Sequence, residues 1–368
     1  MLDKNSKKPM YLQLKEHMIH RIHSGELKTG SILPTEYELC SKFGISRYPV
    51  RQAMDELAQE GYITRTRGRG TFVSSHLPKK EATAGRKLLG LVMIALTGGL
   101  CGQILKGFEK QARERGFHTI VCCSEGDSES ELLSIDRLVE IGAAGIIIFP
   151  CDESRLRDDI ARFKQYGTYF GLLDRNAGLP EVDYTGSDNA GGAYMAVRHL
   201  ALQGYRNVAF VSDRSNASSV NERLEGYIKA VSDFGLKSIT HISIDDDLGK
   251  YPYAVHRFFP EKLKEELLEL RSLFPIGIVS ANDAIALRCM KIIQDEGMAV
   301  GKEVGIVGFD NERECEFASV PLTSVAQNGL LIGRTAADTA IDKLEGKTGA
   351  VFHVKVPTQL VVRKSCGE

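Results

Sequence analysis

Two different spacings of apolar residues divide the chain. Before residue 60 they recur at helical intervals: Leu14, Met18, Ile19 and Ile22, then Leu39 and Phe43, then Val50, Ala53, Met54 and Leu57. That spacing predicts short amphipathic helices. Gly61 stops the last of them, and Tyr62-Ile63-Thr64 and Gly70-Thr71-Phe72-Val73 read as two short strands around a turn. From Leu88 onward the apolar residues gather into continuous runs, LLGLVMIAL, HTIVCC, AGIIIFP and TYFGLLD, with helical patterns between them. Such runs suit strands buried on both faces of a sheet with crossover helices. The alternation restarts after Asp188: a helix through Met195 to Leu202, RNVAFVS, a helix from Arg223 to Phe234, SITHISI, a helix from about Glu261, PIGIVSAND, a helix from Ala284 to Asp295, and EVGIVGFD. The expectation is two similar α/β lobes in series with a cleft between them.

Between the two patterns lies HLPKKEATAGRK, which is polar and has no apolar period. It reads as a linker. The chain therefore divides into a head at 1–76, a linker at 77–87 and a two-lobed body at 88–368. About eleven extended residues reach roughly 36 Å, which leaves the head mobile.

Charge follows the same division. The net charge of −1 conceals 12 Lys and Arg against 8 Asp and Glu in residues 1–76, and 35 against 40 in the remainder. A basic head on an acidic body fits local phosphate binding. No apolar run approaches the length of a membrane span, and the N-terminus is polar and basic rather than a signal peptide, so a cytoplasmic location is expected. The 8 cysteines are scattered, with no Cys-x-x-Cys pair and no His cluster at zinc spacing. They read as thiols of a reducing compartment. Neither a nucleophile paired with a base nor a metal-ligating set stands out, and no phosphate-binding Gly-x-x-x-x-Gly-Lys occurs. No enzyme activity, catalytic residue, metal or cofactor is expected.

The head carries its own candidate chemistry. Ser46 can cap a helix in which Pro49 is tolerated early and Arg47, Tyr48, Arg51 and Gln52 fall opposite the apolar face. Arg and Gln from the N-terminal half of a helix suit the major groove, where Arg pairs with guanine edges and Gln with adenine. Arg65, Arg67 and Arg69 alternate in and beside the turn, and Gly68 and Gly70 let its backbone lie close to DNA. The order Pro-x-Tyr-x-Gln from Pro9, Gly-x-x-x-x-Gly-x-x-Leu-Pro-x-Glu from Gly25, Ser-Arg-x-x-Val-Arg from Ser46 and Gly-x-Gly-Thr-Phe-Val from Gly68 resembles the GntR-type winged helix-turn-helix along its whole length. The resemblance implies DNA contacts from Tyr37, Ser46, Arg47, Tyr48, Arg51 and the wing at Arg69 and Gly70. Pro49 stands in place of the usual Thr, and Tyr37 where some members carry Arg.

In the body, polar residues cluster where strands end, which is where open α/β sheets bind ligands. Asp174 and Arg175 follow TYFGLL, Arg223 opens a helix, Asn282 follows GIVSA, Asp310 follows GIVGF and Gln327 follows LTSVA. Converging, they would offer carboxylate acceptors with amide and guanidinium donors, which suits sugar hydroxyls that both donate and accept. Singly, each also reads as a cap or turn former, and Asp283 and Asn311 read best that way. Residues 88 to 363 resemble the LacI-family effector domain, built like periplasmic sugar-binding proteins. GLLDRN, RLEGYIKAVSDFGL, VSANDAIALRCMKIIQDEGMAVGKEVGIVGFDN and LTSVAQNGLLIGRTAADTAIDKL carry the likeness. It implies sugar contacts from Asp174, Arg175, Arg223, Asn282, Asp310 and Gln327, and favours a small unphosphorylated sugar such as a pentose. The first loop, Thr97-Gly98-Gly99-Leu100, lacks the family's Asn and aromatic residues. Phe149 and Phe170 could supply aromatic surface, although core packing is the plainer reading.

A GntR-type head on a LacI-type body resembles the arabinose repressor subfamily. The resemblance implies a homodimeric, sugar-responsive repressor of a pseudo-palindromic operator. A purine or phosphosugar effector, an activating role and, from another class, a sugar-active enzyme are the alternatives.

Overall fold

In a computed structural model, residues 9–23, 26–66, 68–74, 87–164, 167–213, 217–244 and 261–367 are described. They form two compact units, one within residues 1–85 and one spanning 86–160 and 168–368. The linker at 77–87 lies outside the described residues apart from Lys87, as does Arg67 of the wing.

The first unit comprises α1 (Met10–His23), α2 (Glu36–Phe43), α3 (Arg47–Gln59), β1 (Ile63–Thr66) and β2 (Gly70–Val73). Leu14, Met18, Ile22, Leu39, Val50, Ala53, Met54 and Leu57 close into one core, with Ile19 and Phe43 packed at its edge, as the helical spacing predicts. Thr35 and Glu38 form a reciprocal capping box that starts α2. Gly61, at φ 81°, follows the end of α3. β1 and β2 pair antiparallel, and Ile32 adds a single bridge to Phe72. The first strand runs to Thr66 and leaves Tyr62 outside it.

The second unit opens with β3 (Leu88–Met93), α4 (Gly99–Glu114), β4 (His118–Cys123), α5 (Ser128–Glu140), β5 (Gly145–Ile148), α6 (Glu153–Lys164), β6 (Tyr169–Leu173) and β7 (Asp183–Ser187). It continues with α7 (Asn189–Leu202), β8 (Asn207–Asp213), α8 (Ser218–Asp233), β9 (Lys237–Ile244), α9 (Glu261–Glu269), β10 (Ile276–Ser280), α10 (Asp283–Asp295), β11 (Val304–Asp310), the single turn α11 (Glu314–Phe317) and β12 (Thr323–Ala326). It ends with α12 (Gly329–Leu344), β13 (His353–Val356) and β14 (Gln359–Val361).

Two six-stranded sheets result, ordered β13-β7-β6-β5-β3-β4 and β14-β12-β11-β10-β8-β9. The first is wholly parallel; in the second only β14 runs antiparallel to its neighbour. The inner strands β5, β6 and β10 are buried almost throughout, as their apolar runs require.

The lobes are not in series. After β12 the chain returns to the first lobe, where α12 joins its core and β13 its sheet, before β14 closes the second sheet. The chain thus crosses between lobes three times, at 187–189, 326–329 and 356–359. α12 lies tightly on α4: a Cβ added to Gly107 would stand 2.2 Å from the Leu330 carbonyl oxygen, and one on Gly333 2.0 Å from that of Ile104. Only glycine admits so close an approach.

Helices α5, α7 and α8 begin earlier than their apolar period suggests. Their first turns hold few large apolar residues, and in α5 and α7 the residues before them, Asp127 and Asp188, cap the N-terminus. Among the described residues no helix is long and apolar enough to cross a membrane.

Candidate functional site

The head presents its candidate residues outward. Tyr37 is 83% exposed and Tyr48 78%, and Ser46, Arg47, Arg51, Arg69 and Gly70 are all exposed. Gly70 adopts φ 111°, a backbone that favours glycine, and shapes the wing there. Ser46 sits at the N-cap of α3 in extended backbone, but its hydroxyl makes no cap hydrogen bond. The expected cap is therefore unmade.

Two acids tie α3 to the β1–β2 hairpin. Glu36 lies 3.6 Å from Arg47 and 3.7 Å from Arg65. Asp55 lies 2.5 Å from Arg65 and 3.9 Å from Arg51. Arg65 is thus a brace between β1, α2 and α3, whereas the longer contacts of Arg47 and Arg51 leave them open to a stronger anion. Gln52 does not join the exposed face. It is half-buried and donates to Glu56, which also accepts from Lys15 at 2.8 Å.

In the body, Asp174 follows β6 and Asp310 ends β11, in opposite lobes. Both hold positive φ, 58° and 114°, a strained backbone for a residue with a Cβ. Asp174 is buried, and its Oδ1 has no hydrogen-bond partner among the described residues. Burial raises the Asp174 carboxyl above its ordinary range, against the pull of Arg223 and Arg175.

Arg175 donates from Nη1 to the carbonyls of Pro150 at 2.9 Å and Cys151 at 3.2 Å. Its Nε has no partner among the described residues, and its guanidinium lies 5.6 Å from the centre of the Phe149 ring. Phe170 is buried in β6.

Arg223 is anchored within the second lobe and reaches Asp310. Its Nε donates to Asn189 Oδ1 at 2.9 Å and its Nη1 to the Ala281 carbonyl at 2.5 Å. Its guanidinium stacks 3.7 Å over Phe309, and Nη1 stands 3.7 Å from Asp310. Gln327 then donates from Nε2 to Asp310 at 2.6 Å and accepts from Ser187 Oγ at 2.5 Å. Ser187 and Gln327 stand on two of the crossings between lobes, so the network runs through the hinge itself.

Asn282 lies beside Ala281 in the same place, but its Oδ1 accepts from Ile285 N–H and caps α10. Asp283 and Asn311 are more than local caps. Asp283 accepts from Ser324 Oγ and Glu312 N–H, and Asn311 accepts from Arg363.

Several supporting residues escape sequence reasoning. Asn189 and Ser187 stand outside every apolar run of the sequence, yet both are fully buried. Glu131 hides on α5, where it accepts from Cys151 N–H at 2.8 Å and steadies the loop that holds Arg175. Burial pushes the Glu131 carboxyl up to about 7. An acid at an otherwise inward position of the α5 period is the one available signal.

Two family models match the chain. Residues 10–73 match the family model of bacterial regulatory proteins of the gntR family, and residues 197–366 that of the periplasmic binding protein-like domain. The chain is 27% identical over 367 residues to an arabinose metabolism transcriptional repressor of Geobacillus stearothermophilus, covering 98% of each. Among solved structures it resembles a periplasmic binding protein/LacI transcriptional regulator from Alkaliphilus metalliredigens complexed with D-xylulofuranose, with a TM-score of 0.62 and 21% identity over 76% of this chain and 98% of that one. It also resembles the transcriptional regulator CelR in a cellobiose complex, with a TM-score of 0.66 and 20% identity over 90% of this chain and 100% of that one.

Proposed function

With a regulatory domain of the gntR family and a periplasmic binding protein-like domain joined in one chain, we propose a sugar-responsive transcriptional repressor. The head at 1–76 binds operator DNA through Tyr37, Ser46, Arg47, Tyr48, Arg51, Arg69 and Gly70. The linker at 77–87 joins it to the body at 88–368. A free monosaccharide, a pentose by preference, binds between the lobes to Asp174, Arg175, Arg223, Asn282, Asp310 and Gln327. Two copies read a pseudo-palindrome, because a two-fold pair of heads matches two half-sites.

One observation carries the effector site. Asp174 Oδ1 and Arg175 Nε lack partners among the described residues, an acceptor and a donor on adjacent residues. A vicinal diol satisfies such a set, since each hydroxyl donates once and accepts once. Leaving those atoms unmet costs about 1–3 kcal/mol each, which a fitting sugar recovers on binding. The response follows from the crossings. A ligand that touches Asp310 acts on Gln327 and Ser187, so its occupancy biases the angle between lobes and hence how a dimer presents its heads. Operator DNA must weaken effector binding by the same factor.

A thermal-shift panel of free pentoses, hexoses, phosphosugars and purines tests this. At a hundredfold excess over Kd a true effector adds about 2.7 kcal/mol to stability. The same sugar should release a fluorescent operator fragment. A panel in which no unphosphorylated sugar raises the melting temperature would sink the reading.

A further inference from the structure

Helix N-termini in the body are satisfied in two ways. α5, α7, α10 and α12 begin behind Asp127, Asp188, Asn282 and Asn328, whose side chains accept from a backbone N–H in the first turn. α4 and α8 begin behind Gly98 and Ala217, which have no side-chain oxygen to offer. Their caps come from the opposite lobe. Glu312, on the loop after β11, places both carboxylate oxygens 2.8 Å from Gly99 N at the start of α4. Glu153, in the first turn of α6, accepts from Ser218 N–H at 2.7 Å and Ser218 Oγ at 2.6 Å at the start of α8. It also accepts from Ala177 N–H at 2.9 Å, which holds it beside the Asp174 loop.

A helix N-terminus at the mouth of an α/β cleft favours an anion, through its free N–H groups and its dipole. Here both are filled by carboxylates of the chain itself. Asp174, buried and hydrogen-bonded to Ser219 in the first turn of α8, adds a further acid. The guanidiniums are committed elsewhere: Arg223 to Asn189, Ala281 and Asp310, and Arg175 Nη1 to two carbonyls. A phosphate entering this cleft would meet acids at both helix ends and few unspent donors.

We propose that Glu153 and Glu312 determine specificity: by capping α8 and α4 from across the cleft, they exclude phosphorylated and other anionic effectors and restrict the site to uncharged polyhydroxylated ligands. This inference rests on the sugar-responsive reading and narrows it.

Titration calorimetry of the full chain with D-ribose, D-ribose 5-phosphate and inorganic phosphate tests it. The unchanged protein should show no binding of either phosphate compound. Glu153→Gln and Glu312→Gln keep a cap oxygen and remove one charge each, so the double variant should gain affinity for D-ribose 5-phosphate by at least about tenfold. Tight binding of the phosphosugar by the unchanged protein would overturn the proposal. So would a cooperatively melting double variant that ignores both phosphate compounds. Should the double variant melt without cooperativity, Glu312→Gln alone carries the same test. If a panel of uncharged sugars fails on the unchanged protein, the sugar reading falls, while the gain or absence of phosphate affinity still decides the role of the two carboxylates.

Discussion

The head and the cleft use the same residue types in opposite ways. The side chains of Arg47 and Arg51 are 81% and 69% exposed and hold their acids at 3.6 and 3.9 Å. The side chain of Arg223 is 7% exposed and makes hydrogen bonds of 2.9 and 2.5 Å. The proposed ligands account for the contrast. DNA is a polyanion whose condensed counterions are released on binding, so cations that reach it need no burial beforehand. An uncharged sugar brings only hydroxyls. Its site must be dehydrated and oriented in advance, which is why strained backbone, stacked guanidinium and buried carboxyls gather in the cleft. Changes in the head should therefore alter binding and spare stability, whereas changes in the cleft should alter both.

The sharpest break in that contrast comes from Arg223→Ala. It strips Asn189, the Ala281 carbonyl and Asp310 of their shared donor and removes the stacking on Phe309. Removing one partner of a buried pair costs about 3–5 kcal/mol. Chemical denaturation should show that loss, and the effector response should vanish with it. A variant of unchanged stability would mean the network is ornamental.

In the head, Arg47→Ala and Arg51→Ala should each weaken specific operator binding by about 1–3 kcal/mol if the residue reads a base. Their exposed ion pairs are worth only about 0–1 kcal/mol, so melting should barely move. Fluorescence anisotropy with operator and scrambled duplexes separates base reading from phosphate contact. Equal losses on both duplexes would move these residues to the backbone.

How much of this was legible in the sequence follows from what each element must hide. Leu14, Met18, Val50, Met54 and Leu57 declare the head's core because a small helical unit has one inward face per helix. The inner strands declare themselves by continuous apolar runs. β7 does not: DYTGS has no apolar run, yet it is wholly buried. Asp183 can lie there because Tyr169, Lys343 and the Phe352 N–H meet it, partners distant in sequence. β13 and β14 are short and lack an apolar run, so no local pattern reveals that the chain recrosses the cleft. Five of the six candidate ligand residues were nameable because they lie at or after strand ends, where open α/β sheets bind ligands, while Arg223 was named from a helix. Glu153 and Glu312 were not, since their partners lie on the other lobe. Gly98 and Ala217, helix starts without a cap, are the trace they leave in the sequence.

A smaller effect should separate the two sites by pH. Burial pushes the Asp310 carboxyl up to about 8, with the Arg223 guanidinium opposing and the Asp283 carboxylate assisting. The folded protein then binds this proton more tightly than the unfolded chain. Its contribution to stability falls as pH rises from the ordinary carboxylate range toward about 8. A sugar hydroxyl donating to Asp310 favours the ionised form and expels the proton. Effector affinity should thus rise between pH 6 and 8, by at most about tenfold per pH unit. Calorimetry in two buffers of different ionisation heat should register proton release on binding. Proton uptake would reverse the donor and acceptor assigned to that contact.

The smallest expected effect tests the contrast from inside the head, where Arg65 is built like a cleft residue. It braces Asp55 at 2.5 Å and Glu36 at 3.7 Å, while Arg69 makes no ion pair among the described residues. If bracing is its role, Arg65→Ala should cost the head about 0–1 kcal/mol and leave the salt dependence of DNA binding nearly unchanged. Arg69→Ala should instead leave stability intact and flatten the slope of log affinity against log salt by roughly 0.9, the loss of one phosphate contact. The two arginines stand four residues apart on one hairpin, so a shared response would show that exposure, rather than pairing, decides which cations of the wing reach DNA.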